Sequence, residues 1–409
     1  MTVYSKLISD EHEKYEQIIE TISKRFTTYG YERIKTSAFE QYDLYSKVNS
    51  SINQLEMIKV IDYTGEVLVL RPDITIPVTQ ELAHTIGNLS DELRYYYVQE
   101  VFRQPFEQHE KIGRTQAGIE YFCESSPEAD AEVIALACHT MKDLGFADIK
   151  IEIGHAGFFN ELVRNLPLKP QQISQLKTLI QAKNVVEIGP FIRNLDIDEA
   201  VKQAIEQIPF LYGNPANVSE KAKQLSLTGK MQETLDYLMD VYSILKMYGL
   251  EQYLVVDLGL INHMDYYSGI IFQGYVGRLG KPVLMGGRYD QLGNEFGATL
   301  PAIGFACEIE SLVKVVPDSE QGTRYPIDVK IIYGKEQVEL AIQIANELRE
   351  QSIKVLSVPT DKGQSESRPS AYTVFLQQDG HELCEGDNRI SFVTPVELLE
   401  LLDGLKGVS

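Results

Sequence analysis

The amino-acid sequence predicts an α+β protein in which an antiparallel sheet flanked by helices is followed by a small α/β domain. Three observations predict it. A β-rich stretch with a long hairpin runs between residues 31 and 123, and a helical insert over about 155–250 separates it from a second group of strands. A polar segment at 317–324 follows, after which the pattern changes to strand, helix and strand. The domains expected are therefore 1–320, which contains the insert, and 325–409.

The elements follow in order. From Asp10 the apolar residues Tyr15, Ile18, Ile19, Ile22 and Phe26 recur at three- and four-residue steps, and Gly30 stands where a left-handed cap ends a helix. Strands are expected at 31–36, 57–62 and 66–71, the last halted by Pro72, which cannot donate to a sheet ladder. Residues 93–103 and 116–123 read as two strands joined by the polar 104–115, a long hairpin. Ser126 and Pro127 open a helix as cap and first helical residue, and it runs to Leu144 before Gly145 stops it. A strand at 148–153 leads into the insert, which is broken at Gly189-Pro190 and at 212–217. Strands return at 253–260 and 266–275, then a glycine-rich stretch at 285–297 and a final helix from about 304 to 316. The C-terminal domain reads as strand 328–333, helix 336–351, strand 354–359, and strands near 372–377 and 390–393.

Composition narrows the function. Of 409 residues, 44% are hydrophobic, enough for a large core, and 38 Lys and Arg against 59 Asp and Glu give a net charge of −21. That balance opposes any broad surface tracking a phosphate backbone, because such binding is driven by basic side chains displacing counterions. Residues 1–14 lack the basic start and apolar core of a signal peptide, and no stretch approaches the ~18 apolar residues of a membrane span. A cytoplasmic protein that binds neither nucleic acid nor membrane is expected. Cys123, Cys138, Cys307 and Cys384 form no C-x-x-C pair, so they read as reduced and structural.

The common catalytic signatures are missing: there is no G-x-x-x-x-G-K-[ST], no H-E-x-x-H and no G-x-S-x-G. The histidines at 12, 84, 109, 139, 155, 263 and 381 do not fall at ligand spacing, so neither a metal nor another cofactor is expected. In the hairpin, a period of two places Gln116, Gly118 and Glu120 on one face, with Arg103 projecting from the neighbouring strand. A glycine between two polar residues leaves a gap lined by polar groups. The same residues fit a plainer reading, a cross-strand ion pair between Glu120 and Arg103 on a solvated face. Asp73 and Thr75, just after Pro72, suit the same gap, or simply a turn in which they satisfy backbone amides. Gly286-Gly287-Arg288-Tyr289-Asp290 on its own suits a packing or turn device as well as a ligand loop.

Six motifs taken together go further. Leu70-Arg71-Pro72-Asp73-Ile74-Thr75, Glu100-Val101-Phe102-Arg103, Gln116-Ala117-Gly118-Ile119-Glu120, Asp265-Tyr266-Tyr267-Ser268-Gly269, Gly286-Gly287-Arg288-Tyr289-Asp290 and Pro301-Ala302-Ile303-Gly304-Phe305-Ala306 occur in that order. From about residue 5 to 315 the chain resembles the catalytic domain of histidyl-tRNA synthetases. The resemblance implies a class II aminoacyl-tRNA synthetase-like fold and a homodimeric core. It also implies that Asp73, Thr75, Gln116, Glu120, Tyr266 and Tyr267 surround histidine, while Arg103 matches the arginine that contacts ATP and the activated carboxylate.

The departures from that pattern decide between relatives. Where the synthetases carry a glycine-leucine-glutamate-arginine run, this chain has Glu308-Ile309-Glu310-Ser311, and Ser311 cannot make the charge-assisted contacts a triphosphate needs. Asn262 stands where an arginine three residues before the Asp-Tyr-Tyr acts on the amino acid's carboxylate, and Ser37 where the first class II motif ends in proline. Aminoacylation should be absent. A synthetase-like body without these arginines, reading Arg-Pro-Asp for Arg-Pro-Glu, resembles the ATP phosphoribosyltransferase regulatory subunit family. That resemblance implies a noncatalytic partner of a short-form ATP phosphoribosyltransferase catalytic subunit in histidine biosynthesis, a homodimer within a hetero-oligomer, with histidine as effector. Residues 325–409 are similar to a degenerate anticodon-binding domain, and eight Lys and Arg against fourteen Asp and Glu give that stretch the wrong sign for a tRNA stem. An active histidyl-tRNA synthetase, or a tRNA- or amino-acid-sensing module, are the competing readings.

Overall fold

The computed structural model describes residues 3–48, 52, 54–85, 91–104, 112–164, 166–225, 228–261, 266–277, 279–317, 327–360, 369–378 and 380–406. The chain divides into two compact units, Leu7–Pro317 and a smaller one of Met1–Lys6 with Asp318–Ser409. Among the described residues no helix is long and apolar enough to cross a membrane.

Helix α1 (Val3–Thr28) runs into the larger unit from Leu7, and its Ile18, Ile22 and Phe26 are buried at helical spacing before Gly30 adopts a positive φ. Strand β1 (Glu32–Arg33) joins the main sheet, whereas β2 (Phe39–Gln41), β3 (Lys59–Ile61) and β4 (Val67–Leu70) form a separate sheet in the order β2-β4-β3, with α2 (Tyr42–Lys47) beside it. The expected strands at 57–62 and 66–71 thus pair with each other, outside the main sheet. Asp73 then starts α3 (Thr75–Thr85), a helix that sequence periodicity does not announce. The hairpin is β5 (Leu93–Phe102) with β6 (Gly113–Phe122), and residues 105–111 between them lie outside the described residues. Helix α4 (Pro127–Asp143) is capped as expected, with the Ser126 hydroxyl accepting from the Ala129 amide.

Strand β7 (Ile149–His155) leads into the insert: α5 (Ala156–Val163), α6 (Pro170–Gln181), α7 (Val185–Arg193), α8 (Glu199–Gln207), the two-residue β8 (Tyr212–Gly213), α9 (Pro215–Leu225) and α10 (Gly229–Met247). Strands β9 (Leu254–Asp257), β10 (Ile270–Val276), β11 (Leu284–Arg288) and β12 (Ala302–Glu308) complete a nine-stranded sheet in the order β1-β5-β6-β12-β11-β10-β7-β9-β8, and α11 (Ile309–Val313) ends the unit. The sheet is antiparallel except that β1 pairs with β5 and β7 with β9 in parallel, so it is mixed at both flanks.

Residues 304–316 correct the expectation of one helix. Ala302 through Glu308 are a strand, because β6 and β11 offer ladders on both sides, and only the last few residues turn into α11. Gly304 fits there because the sheet is packed tightly around it. A Cβ at that position would overlap the Glu120 carboxylate and the Ile119 carbonyl.

One insert residue ties the helices to the sheet. Lys183 sits at φ 50°, a conformation that costs a non-glycine residue about 1 kcal/mol. Its ammonium pairs with buried Asp257 of β9 at 2.8 Å and lies 3.8 Å from the Tyr212 ring centroid. The smaller unit holds β13 (Ile327–Tyr333), α12 (Val338–Glu350), β14 (Val355–Pro359), β15 (Ser370–Gln377), β16 (Gly380–Glu385), β17 (Asn388–Phe392) and α13 (Pro395–Lys406). Its sheet order is β14-β13-β15-β16-β17, and both helices bury apolar faces against Val329, Ile331 and Val374. Strand β16 and α13 go beyond the elements expected from sequence.

Candidate functional site

The seven residues expected to surround a ligand, Asp73, Thr75, Arg103, Gln116, Glu120, Tyr266 and Tyr267, line one cavity of about 60 Å³. They arrive from four places: the turn before α3, the end of β5, the strand β6, and the segment ahead of β10. Asn262 and Asp265 lie outside the described residues.

Glu120 is the centre of the site. Register places Tyr95 opposite it in the hairpin, while Arg103 lies beyond the paired residues near Ile112, so a cross-strand Glu120–Arg103 pair is ruled out by geometry. Instead Thr75 Oγ1 donates to Glu120 Oε1 at 2.6 Å and the Tyr289 hydroxyl donates to Oε2. The carboxyl is 2% exposed, and burial pushes its pKa from 4.5 up to about 8, against the opposing pull of the Thr75 and Tyr289 hydroxyls; the charge of Asp73 raises it further. Burial raises Asp73 as well, offset by the Ile76 amide and by Arg103. Asp73 serves both readings at once, since its Oδ1 accepts the Ile76 amide at 2.8 Å at the start of α3 while it also lines the cavity.

Arg103 supplies the opposite charge. Its Nε donates to the Pro72 carbonyl at 2.8 Å, which anchors the guanidinium near Asp73 at the cavity. Two buried carboxyls, a glutamine, a threonine and one arginine together suit a zwitterion with an additional donor group. Among the described residues, no group of three His, Cys, Asp or Glu could hold a metal ion.

Sequence reasoning missed Tyr97 and undervalued Tyr289. Tyr97 faces Gly118 across the hairpin, and a Cβ on Gly118 would stand 2.5 Å from the Tyr97 hydroxyl. A large residue opposite a glycine in a hairpin was the available signal. Tyr289 is buried between Phe122 and Tyr266, with ring centroids 6.3 and 5.8 Å away.

The Glu308–Ser311 run, one of the departures from the synthetase pattern, is tied into a hydrogen-bonded network. Ser311 is 1% exposed, and its Oγ donates to Glu308 Oε1 at 2.8 Å. Glu308 also pairs with Arg114 Nη1 at 3.3 Å, and Glu310 accepts the Thr115 amide at 3.0 Å. The space where the second ATP arginine would emerge therefore carries a short neutral side chain and two carboxylates that already have partners.

The ionisation of Glu120 predicts a pH signature. The folded state keeps a proton that the unfolded chain releases above pH 4.5, so this group's contribution to stability is full below that pH, falls as pH rises towards about 8, and is level beyond. Glu120→Gln is expected to lose this slope and to gain on the wild type by a few kcal/mol between pH 5 and pH 9, read from urea midpoints. A difference independent of pH would contradict the buried, proton-retaining carboxyl.

The chain is similar to proteins of known family. A family model described as histidyl-tRNA synthetase matches residues 5–312. The ATP phosphoribosyltransferase regulatory subunit of Oceanobacillus iheyensis is 43% identical over 93% of this chain and 92% of its own length. That of Ruminiclostridium cellulolyticum is 32% identical over 89% and 87%. A crystal structure of an ATP phosphoribosyltransferase regulatory subunit/histidyl-tRNA synthetase from Bacillus halodurans superposes with a TM-score of 0.77 at 29% identity, covering 87% of this chain and 90% of that one. A histidyl-tRNA synthetase from a Nostoc species shares the fold at 18% identity, with a TM-score of 0.79 over 96% of both chains. The chain belongs to the ATP phosphoribosyltransferase regulatory subunit family, built on the histidyl-tRNA synthetase fold.

Proposed function

We propose that this protein binds and activates a short-form ATP phosphoribosyltransferase catalytic subunit, and that histidine held in the pocket carries feedback to that partner. The observation that carries the reading is the contrast between the two halves of one site. The amino-acid half is preorganised around Glu120, whereas the ATP half carries buried Ser311, hydrogen-bonded to Glu308, in place of an arginine. A site that holds an amino acid but cannot activate it is suited to sensing.

In this reading Glu120 meets the imidazole, Asp73, Thr75 and Gln116 hold the ammonium, Arg103 takes the carboxylate, and Tyr266 and Tyr267 close the wall. The protein acts as a homodimer within the hetero-oligomer. The smaller unit keeps an inherited anticodon-binding fold without its tRNA, consistent with the negative charge of residues 325–409. Feedback requires that histidine bind the active and inhibited assemblies with different affinity, since equal affinity shifts nothing.

The test is phosphoribosyl transfer by the short-form catalytic subunit alone, with this protein, and with this protein plus histidine. Stimulation of about tenfold or more on mixing, reversed by histidine, is expected. No stimulation, together with no complex in sedimentation at micromolar concentration, would refute the partner assignment.

A further inference from the structure

Outside the pocket, the most connected buried polar cluster of the described structure is centred on Arg288. The guanidinium is 3% exposed, and it donates through Nε to Asp130 Oδ1 at 2.8 Å and through Nη1 to the Glu124 carbonyl at 2.8 Å and Asp290 at 3.0 Å. Asp130, on α4, has no exposed surface, and its other oxygen accepts the Tyr237 hydroxyl of α10 at 2.9 Å. His155, the cap of α5, meets the Tyr237 ring edge-on at 6.0 Å. Burial and the nearby Arg288 charge hold that imidazole neutral, with its pKa lowered to about 4. The cluster thus joins α4, α5, α10 and β11.

On its other side the same arginine builds the pocket wall. The Ser268 amide donates to the Arg288 carbonyl at 2.8 Å, and the Asp290 amide donates to Ser268 Oγ at 3.0 Å. Gly269 lies flat against the Arg288 side chain, since a Cβ there would stand 2.9 Å from Cδ. Ser268 directly follows Tyr266 and Tyr267, and Tyr289 stands between Arg288 and Asp290 with its hydroxyl on Glu120. The position of three pocket tyrosines is therefore set by where Arg288 is held.

We propose that Tyr237 is a positioning residue for the pocket: its hydroxyl orients Asp130, which fixes Arg288 and thereby the Tyr266–Ser268 wall and Tyr289, linking the insert helix α10 to the ligand site. This rests on reading the pocket as a histidine site. Low-dielectric networks of this kind transmit a change because the partners of each member leave few alternative arrangements. A change that withdraws the Tyr237 hydroxyl gives the Asp130 carboxylate a second orientation, and Arg288 follows it.

The experiment uses the full chain as Tyr237→Phe, which removes one oxygen, beside Leu238→Val, which thins the buried face of α10 at the next residue without touching the cluster. Two quantities are read: histidine affinity by calorimetry, and hydrogen–deuterium exchange at the Ser268 and Asp290 amides. Tyr237→Phe is expected to weaken histidine binding by roughly fivefold or more and to speed exchange at both amides, while Leu238→Val lowers the melting temperature and leaves both quantities at wild-type values. Wild-type affinity and exchange in Tyr237→Phe, or parallel losses in both variants, would overturn the proposal. If the wild type takes up no histidine, the pocket reading fails by itself, and the exchange measurement alone decides the role of Tyr237.

Discussion

Histidine-dependent ATP–pyrophosphate exchange by this protein is expected to run at least about 10⁴-fold below that of an active histidyl-tRNA synthetase, each missing preorganised donor removing about 10²–10³ in rate. The loss at Ser311 is one of charge and of geometry. A guanidinium would lay two donors along a phosphate, whereas this hydroxyl is buried and spends its proton on Glu308. Asn262 removes the second cation from the sequence. Ser311→Arg alone should restore little, because the arginine would enter beside Glu308 and Glu310, whose carboxylates would compete for it. Exchange within tenfold of an ordinary synthetase would contradict the assignment of a noncatalytic subunit.

Arg288→Met is expected to destabilise the protein by about 3–5 kcal/mol, the usual consequence of leaving one partner of a buried pair uncompensated. Among the described residues, Asp130 would retain the Tyr237 hydroxyl alone, in a place with no access to water. Set against a total of about 5–15 kcal/mol for a domain, that is a large share. The loss should depend on pH. Burial already raises the Asp130 pKa and Arg288 opposes it, so without the arginine the carboxyl keeps its proton to higher pH. The variant's deficit therefore shrinks as pH falls and the neutral acid becomes the common form. Urea titrations of wild type and variant at several pH values measure this, and a pH-independent loss below about 1 kcal/mol would show that the pair carries little of the fold.

Part of the candidate site was legible in the strand pattern, and the resemblance to synthetases chose among its readings. Residues on one strand face recur with a period of two, so Gln116, Gly118 and Glu120 declare their common side, and Asp73 and Thr75 follow a proline that ends a strand. What the pattern could not carry was pairing. Tyr97 becomes a pocket residue only through its register with Gly118, and Gly304 reads as a helix start until β6 and β11 claim it from both sides. The same limit explains why the strands at 57–62 and 66–71 fit the expected spans but belong to a sheet of their own. Helix α3 was hidden because Pro77 and three threonines break the usual apolar stripe. Ser126 and Gly145 marked the ends of α4 well, since caps depend on neighbours along the chain.

The pocket's back wall is also structural filling. Tyr97 and Tyr289 pack in one apolar cluster with Phe122, Ile74 and Leu300, and Gly304 admits no side chain against Glu120. Substitution at these positions is therefore punished by misfolding before any ligand is considered, and selection for stability alone would preserve them. Arg103 and Gln116 are different: both are part-exposed at the cavity, and neither belongs to that cluster. Arg103 still holds the Pro72 carbonyl, but neither side chain fills the core, so substitution at either costs the fold less than at Tyr97 or Tyr289. Arg103 and Gln116 are thus the positions at which an effect on ligand binding can be read with the least disturbance of the core.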